Sequence, residues 1–130
     1  MNNLINEYIY EIKKSKFIAK MYHVESKDEV KDILDVLKKE HKKARHIPYA
    51  YKVGPIASKS DDKEPNNTAG MPIYNIIENK KLENTLIVVI RYFGGTKLGA
   101  GGLFRAYMEA ARGVTTGDSN ELQMEKTGIN

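Results

Sequence analysis

The N-terminal part of the chain alternates apolar and polar residues in the manner of a β-strand. Tyr8, Tyr10 and Ile12 recur at every second position, which places their side chains on one face of an extended segment. Residues 17–24 continue in an extended pattern. The chain is therefore predicted to open with two strands that are joined by a turn at residues 13–15.

A helix is predicted after these two strands. Ser26 and Glu29 have the spacing of a capping box, in which a Ser N-cap and a Glu three residues later satisfy backbone N–H groups at the start of a helix. Lysines follow in a basic turn at residues 38–43, where positive charge suits the C-terminal end of a helix dipole. The apolar stripe between these two signals recurs at helical spacing and comprises Val30, Ile33, Leu34 and Leu37.

A short strand, a polar loop, a helix and a buried strand are predicted next. Alternation at residues 49–53 indicates the strand, and residues 54–69 are expected to form a loop because glycine and proline interrupt them. Pro72 suits the first turn of a short helix, since its missing N–H is not needed there. Residues 86–90 are uncharged and rich in β-branched side chains, which is typical of a strand buried on both faces.

A glycine-rich stretch at residues 94–102 separates this buried strand from a last helix with apolar positions at helical spacing. Glycine allows positive φ and close backbone approach, and exposed N–H groups at the start of a helix favour a bound anion. Arg91, Lys97 and Arg105 surround the stretch with positive charge. We therefore predict a phosphate-type anion site; the alternative is that the glycines only allow tight packing. The glycines are Gly94, Gly95, Gly99, Gly101 and Gly102.

The predicted order of elements is ββαβαβα. This order favours an α+β fold, as a two-layer sandwich in which helices pack on one face of a mixed sheet. Residues 1–114 are predicted to form one domain. Residues 115–130 are polar and lack periodicity, so they are expected to form a disordered tail.

The composition is that of a water-soluble globular domain. The chain has 130 residues, of which 41% are hydrophobic and 29% are charged, and it contains no cysteine. The absence of thiols excludes disulfides, and no apolar run approaches the roughly 20 residues of a membrane-spanning helix. We expect a cytoplasmic protein. The net charge of +4 permits contact with RNA without requiring it.

Two other groups of residues are candidates for a site. Asp61, Asp62 and Glu64 could hold Mg²⁺, because hard cations prefer carboxylate oxygens, or they could supply a general base. The alternative is that the aspartates cap turns or pair with Arg91 or Lys97.

The second group mixes a cation, an imidazole and aromatic rings. Arg45, His46, Tyr49 and Tyr51 could stack on unpaired bases or hold a backbone phosphate. The alternative is that the tyrosines are core residues of a strand and that His46 is a polar residue at a helix end.

Residues 91–107, which read RYFGGTKLGAGGLFRAY, resemble the signature of the YigZ/IMPACT family. The segments at residues 15–18, 44–51, 60–65 and 68–73 agree with this resemblance. It implies the fold of the second domain of ribosomal protein S-five and a role in translational control, which in eukaryotic members acts through a starvation-responsive kinase. It also implies a ferredoxin-like C-terminal domain in bacterial members, which is expected to be absent from these residues. Pro48 and the Asn66-Asn67 pair depart from the family pattern.

Three hypotheses on function follow. The leading one is a non-enzymatic, translation-associated regulatory module that holds a phosphate-bearing partner, RNA or the ribosome, through the glycine-rich stretch. The second is a Mg²⁺-dependent enzyme that acts on a small phosphorylated ligand. The third is a protein-interaction module in which the same loops bind a protein partner.

Overall fold

A computed structural model describes residues 3–116 of the chain. Residues 117–130, which make up most of the predicted tail, lie outside the described residues. The elements follow the order ββαββαβα: β1 (Leu4–Ile12), β2 (Ser15–His23), α1 (Lys27–Glu40), β3 (Tyr49–Val53), β4 (Ile56–Ser60), α2 (Gly70–Asn79), β5 (Thr85–Tyr92) and α3 (Gly99–Val114).

The five strands form one sheet in the order β1-β2-β5-β3-β4. All neighbouring strands run antiparallel, so the predicted α+β class is confirmed but the predicted mixed sheet is wrong. Strand β5 lies between two hairpins that come before it in the sequence. In consequence, the last strand within residues 3–116 occupies the centre of the sheet.

Strand β5 is buried on both of its faces, as its continuous apolar run predicts. Ile87 and Val89 face a core that includes side chains of α2 and α3. Leu86, Val88 and Ile90 face a second core, which includes the apolar stripe of α1. The helices therefore cover both faces, and the prediction of a two-layer sandwich with helices on one face is corrected to three layers.

The predicted loop at residues 54–69 begins with a strand that the sequence did not reveal. Val53 pairs with Ile56 across a tight turn in which Gly54 has φ +57. The side chains of β4 are exposed or half-buried, because β4 is an edge strand that pairs only with β3. Its sequence, Ile56-Ala57-Ser58-Lys59-Ser60, lacks the alternation of apolar and polar residues that would have marked a strand. The loop proper starts after Ser60.

The helices begin close to their predicted positions. The Ser26 Oγ accepts a hydrogen bond from the Glu29 N–H at 3.2 Å, which confirms the N-cap of α1. Helix α2 begins at Gly70, two residues before Pro72, and α3 begins at Gly99. Part of the glycine-rich stretch is thus the first turn of α3 and not a loop.

No helix within residues 3–116 is both long enough and apolar enough to cross a membrane.

Gly113 and Gly101 lie in the same helix but differ in the space around them. A Cβ at Gly113 would lie 2.3 Å from ring atoms of the buried Tyr8, whereas a Cβ at Gly101 would meet no atom within 4 Å. We predict that Gly113→Ala lowers the free energy of unfolding by roughly 1–3 kcal/mol through overpacking. Gly101→Ala should leave it unchanged or raise it by up to about 1 kcal/mol. Urea unfolding of both variants tests this, and equal effects would contradict it.

Candidate functional site

The C-terminal end of β5 leads directly through the glycine-rich stretch into α3. Gly95 and Gly99 have φ values of +97 and +75, in the left-handed region that favours glycine over residues with a side chain. Helix α3 starts after Leu98, whose apolar side chain cannot accept a hydrogen bond, and its first turn contains no acidic residue. The first N–H groups of α3 are therefore left without a side-chain cap, which is the arrangement that favours an anion.

Gly94 fastens this stretch to the turn between β1 and β2. The Gly94 N–H donates to the Ser15 Oγ at 3.1 Å, and a Cβ at Gly94 would lie 2.1 Å from the Lys14 carbonyl carbon. Only glycine can approach the turn so closely. Lys13 and Lys14 in that turn have φ values of +49 and +68, and both side chains are exposed. The turn and the glycine-rich stretch therefore form one surface.

Arg91 lies beneath this surface and not on it. Its guanidinium donates from Nη1 to the Glu64 Oε2 at 2.8 Å, and the two side chains are only 6% and 3% exposed. The Tyr107 hydroxyl donates to the same carboxylate oxygen. The Arg91 side chain is also close to the rings of Phe17 and Phe93, at 5.6 and 5.5 Å from the ring centroids. Arg91 therefore pairs with Glu64 and not with Asp61 or Asp62. Because its guanidinium is buried, it does not contact a partner at the surface.

The connection between α1 and β3 joins this buried cluster through its backbone. The Arg91 N–H donates to the His46 carbonyl at 2.9 Å, and the Arg45 N–H donates to the Arg91 carbonyl at 2.7 Å. The His46 Nε2 lies 3.7 Å from the Glu64 Oε1, and the imidazole is largely buried. His46 therefore belongs to the support of the site, at the end of β5.

Arg45 and the tyrosines that the sequence grouped with it are separated in the structure. Arg45 is exposed, and its guanidinium lies over the Phe93 ring at 4.3 Å from the centroid. Tyr51 is buried in the core under α1, and its ring stacks on that of Tyr49 at 6.2 Å. Tyr51 is therefore not available to stack on a base.

The carboxylates of the 61–64 loop bind other parts of the chain. Asp61 accepts hydrogen bonds from backbone N–H groups at the start of α2, with the Gly70 N–H at 2.8 Å. Asp62 accepts from the Ile47 N–H at 2.6 Å, and Glu64 accepts from Arg91 and Tyr107 as described above. Within residues 3–116 no group of three or more His, Asp or Glu side chains is arranged to hold a metal ion. The Mg²⁺ site at Asp61, Asp62 and Glu64 stays a prediction.

Lys97 and Arg105 are both exposed, Lys97 in the glycine-rich stretch and Arg105 further along α3. Sequence reasoning missed the lysines of the β1–β2 turn, the contact of Arg45 with Phe93, and the role of Tyr107 in the buried cluster. The adjacent lysines were visible in the predicted turn. Only the pairing of β2 with β5, however, brings that turn to the glycine-rich stretch.

The fold and the site define a class: an antiparallel α+β domain in which a glycine-rich connection follows a buried central strand. The family model of the Impact N-terminal domain matches residues 13–115. The chain therefore belongs to the IMPACT family, which confirms the resemblance found in the sequence.

Relatives and solved structures agree with this assignment. The chain is 43% identical over 99 residues to the IMPACT family member YvyE of Bacillus subtilis, a match that covers 74% of this chain and 46% of that protein. A crystal structure of a hypothetical protein is similar with a TM-score of 0.80 and 33% identity, covering 88% of this chain and 60% of that one. The two-domain translational regulator Yih1 is similar with a TM-score of 0.51 and 25% identity, covering 84% and 45%. The chain spans about half the length of the curated relatives it matches.

Removal of the Glu64 charge should destabilise the domain strongly. Glu64→Gln leaves the buried Arg91 guanidinium without its counter-charge, so we predict a loss of about 3–5 kcal/mol in the free energy of unfolding. The matched control is Glu83→Gln, which breaks the exposed pair with Lys52 at 3.0 Å and should cost about 0–1 kcal/mol. Urea unfolding measures both, and similar losses for the two variants would contradict the role given to Glu64.

Tyr107 should make the stability of the domain fall in alkali. Burial, and then the Glu64 carboxylate, raise the pKa of Tyr107 well above its ordinary value of 10.0, while Arg91 acts in the opposite direction. The unfolded chain therefore releases a proton that the folded chain keeps. The stabilisation that this retained proton gives the folded domain is complete below about pH 10. As the pH rises above that value, the free energy of unfolding falls by about 1.4 kcal/mol per pH unit.

Tyr107→Phe removes this titration. Unfolding free energies measured between about pH 9 and 11 should therefore fall less steeply in the variant than in the wild type. At neutral pH the variant should lose about 1.5–3 kcal/mol, since the lost hydrogen bond has a charged acceptor. Parallel curves in alkali would show that Tyr107 does not keep its proton there.

Proposed function

We propose that the chain is a translation-associated regulatory module that binds RNA through the phosphate groups. Membership of the IMPACT family and similarity to a solved translational regulator support the link to translation. The proposal places the protein in the cytoplasm, where translation occurs. The phosphate-binding part of the proposal is based on the candidate site of this chain.

The observation that carries the proposal is the uncapped start of α3 inside a glycine-rich, positively charged surface. Gly101 has open space around the position of a Cβ, and the first turn of α3 contains no acidic side chain that could occupy its N–H groups. The exposed Lys97 lies two residues before this helix. Backbone N–H groups and a nearby lysine together form the kind of environment that binds a phosphate oxygen.

The other two hypotheses gain less from the structure. Asp61 and Asp62 accept backbone hydrogen bonds from their own chain, so they add no support to a Mg²⁺-dependent enzyme. A protein-interaction module would use the same exposed surface without depending on phosphate. The two hypotheses differ in how binding responds to salt. Phosphate contacts release counterions, so the proposed RNA binding must weaken as the salt concentration rises.

The test is RNA binding by wild type, Lys97→Ala and Arg105→Ala at two salt concentrations. We expect salt-sensitive binding by the wild type, and a loss of roughly fivefold in affinity for each variant at about 0.1 M salt if each removes one phosphate contact. Lys27→Ala is the matched control. Lys27 is an exposed lysine at the start of α1. It follows the end of β2, where His23 pairs with Thr85 at the start of β5, so it comes after the end of the sheet opposite to the glycine-rich stretch.

Thermal unfolding establishes that each variant is folded before binding is compared. Wild-type protein that binds no RNA at the lower salt concentration would overturn the proposal. So would RNA binding that is insensitive to salt, because contacts to phosphate release counterions and must weaken as salt rises. If Lys27→Ala lost as much RNA affinity as Lys97→Ala, the loss would be due to the change in net charge and not to a contact at the glycine-rich stretch.

A further inference from the structure

Three basic segments meet where β5 ends, and only one of them includes part of the glycine-rich stretch. Residues 13–16 comprise the β1–β2 turn and the first two residues of β2, residues 41–45 follow α1, and residues 93–97 follow β5. We call the surface that they form the basic end of the sheet. Its cationic side chains are all exposed: Lys13, Lys14, Lys16, Lys42, Lys43, Arg45 and Lys97.

Contacts of the backbone and of polar side chains hold the three segments together. Lys16 is opposite Tyr92 in the sheet, and the Gly94 N–H donates to Ser15 at 3.1 Å. The His41 Nδ1 lies 2.6 Å from the Tyr92 hydroxyl, which ties the end of α1 to the end of β5. The backbones of the three segments are therefore tied to one another at the end of β5.

This surface concentrates positive charge without compensation. The three segments contain no Asp or Glu, although the whole chain has 17 acidic residues against 21 Lys and Arg. Glu11 lies opposite Lys16 across the hairpin, yet the two form no ion pair within 4.0 Å. Among residues 3–116, none of the seven cations has an ion-pair partner within that distance. Like charges held together in this way attract a polyanion.

Arg45 gives the surface a planar group as well as a charge. Its guanidinium is exposed and lies over the half-buried Phe93 ring at 4.3 Å from the centroid. The opposite side of such a guanidinium plane is the kind of surface on which an unpaired base stacks. A base paired within a duplex could not present its face in this way.

We infer that the basic end of the sheet binds single-stranded RNA. The strand's phosphates contact Lys13, Lys14 and the other cations, and one unpaired base stacks on Arg45. The inference rests on the proposed function, which it deepens: it enlarges the phosphate site at α3 to a surface that includes the β1–β2 turn, and it specifies the single-stranded form of the RNA.

The decisive variant is Lys13→Ala/Lys14→Ala, and its matched control is Lys80→Ala/Lys81→Ala. Both pairs are exposed, and Lys81 has a positive φ of 55, like the lysines of the β1–β2 turn. Lys80 and Lys81 follow α2 and precede β5, so they lie in the connection to the opposite end of that strand. The two double variants therefore lose the same charge at opposite ends of β5.

The probe is a labelled single-stranded oligonucleotide of mixed sequence, titrated at several salt concentrations. Lys13→Ala/Lys14→Ala should bind about 25-fold more weakly at about 0.1 M salt, and the slope of log affinity against log salt should fall by about 1.4. The control variant should keep most of the affinity and of the slope. If the two double variants behave alike while the wild type binds and Lys97→Ala weakens binding, the inference fails and the proposed function stands. A wild type that binds no RNA would overturn both.

A second variant separates stacking from charge. Arg45→Lys keeps the positive charge but removes the planar guanidinium, so it should lower affinity for the single strand at least fivefold and leave the salt slope unchanged. Affinity for a duplex of the same sequence should be lower than for the single strand, and this variant should not change it. Equal wild-type affinity for duplex and single strand, or an Arg45→Lys variant that binds as the wild type does, would overturn the single-strand part of the inference.

Discussion

The arrangement of the strands and helices of this domain depends on the hydrogen bonds and the ion pair of the buried Glu64 carboxylate. This carboxylate accepts hydrogen bonds from Arg91 at the end of β5 and from Tyr107 in α3, and His46 lies beside it. A buried carboxylate is unfavourable unless nearly every partner is in place. The loop after β4, the central strand, the last helix and the connection after α1 are consequently fixed relative to one another at one point. The exposed surface above them takes its shape from this buried cluster.

The sequence was informative where local physical chemistry determines the structure. The capping box at Ser26 and the apolar run of β5 each depend on neighbouring residues, and both predictions are confirmed. Strand β4 was missed because an edge strand is held by backbone hydrogen bonds and requires no particular side-chain pattern. The third layer was missed because periodicity shows that a helix has an apolar face but not which face of a sheet it covers.

The candidate site was harder to predict because it depends on partners that are distant in sequence. In the sequence Arg91, Lys97 and Arg105 are three equivalent cations beside the glycine-rich stretch. In the structure Arg91 is buried, in an ion pair with a glutamate that is distant along the chain. The lysines of the β1–β2 turn join the site only through the pairing of β2 with β5. The close approach of Gly94 to Lys14 had no local signal, since glycine at that position also fits a simple turn.

The position of β5 also has a consequence for the order in which the chain can acquire its structure. The β1–β2 and β3–β4 hairpins are local in sequence, so each can pair as soon as its own residues are available. They cannot join into one sheet until β5 has been synthesised and inserted between them. Until then the inner edges of both hairpins lack the strand with which they pair in the folded domain, so the sheet, both of its cores and the basic surface are completed together by the last third of the domain.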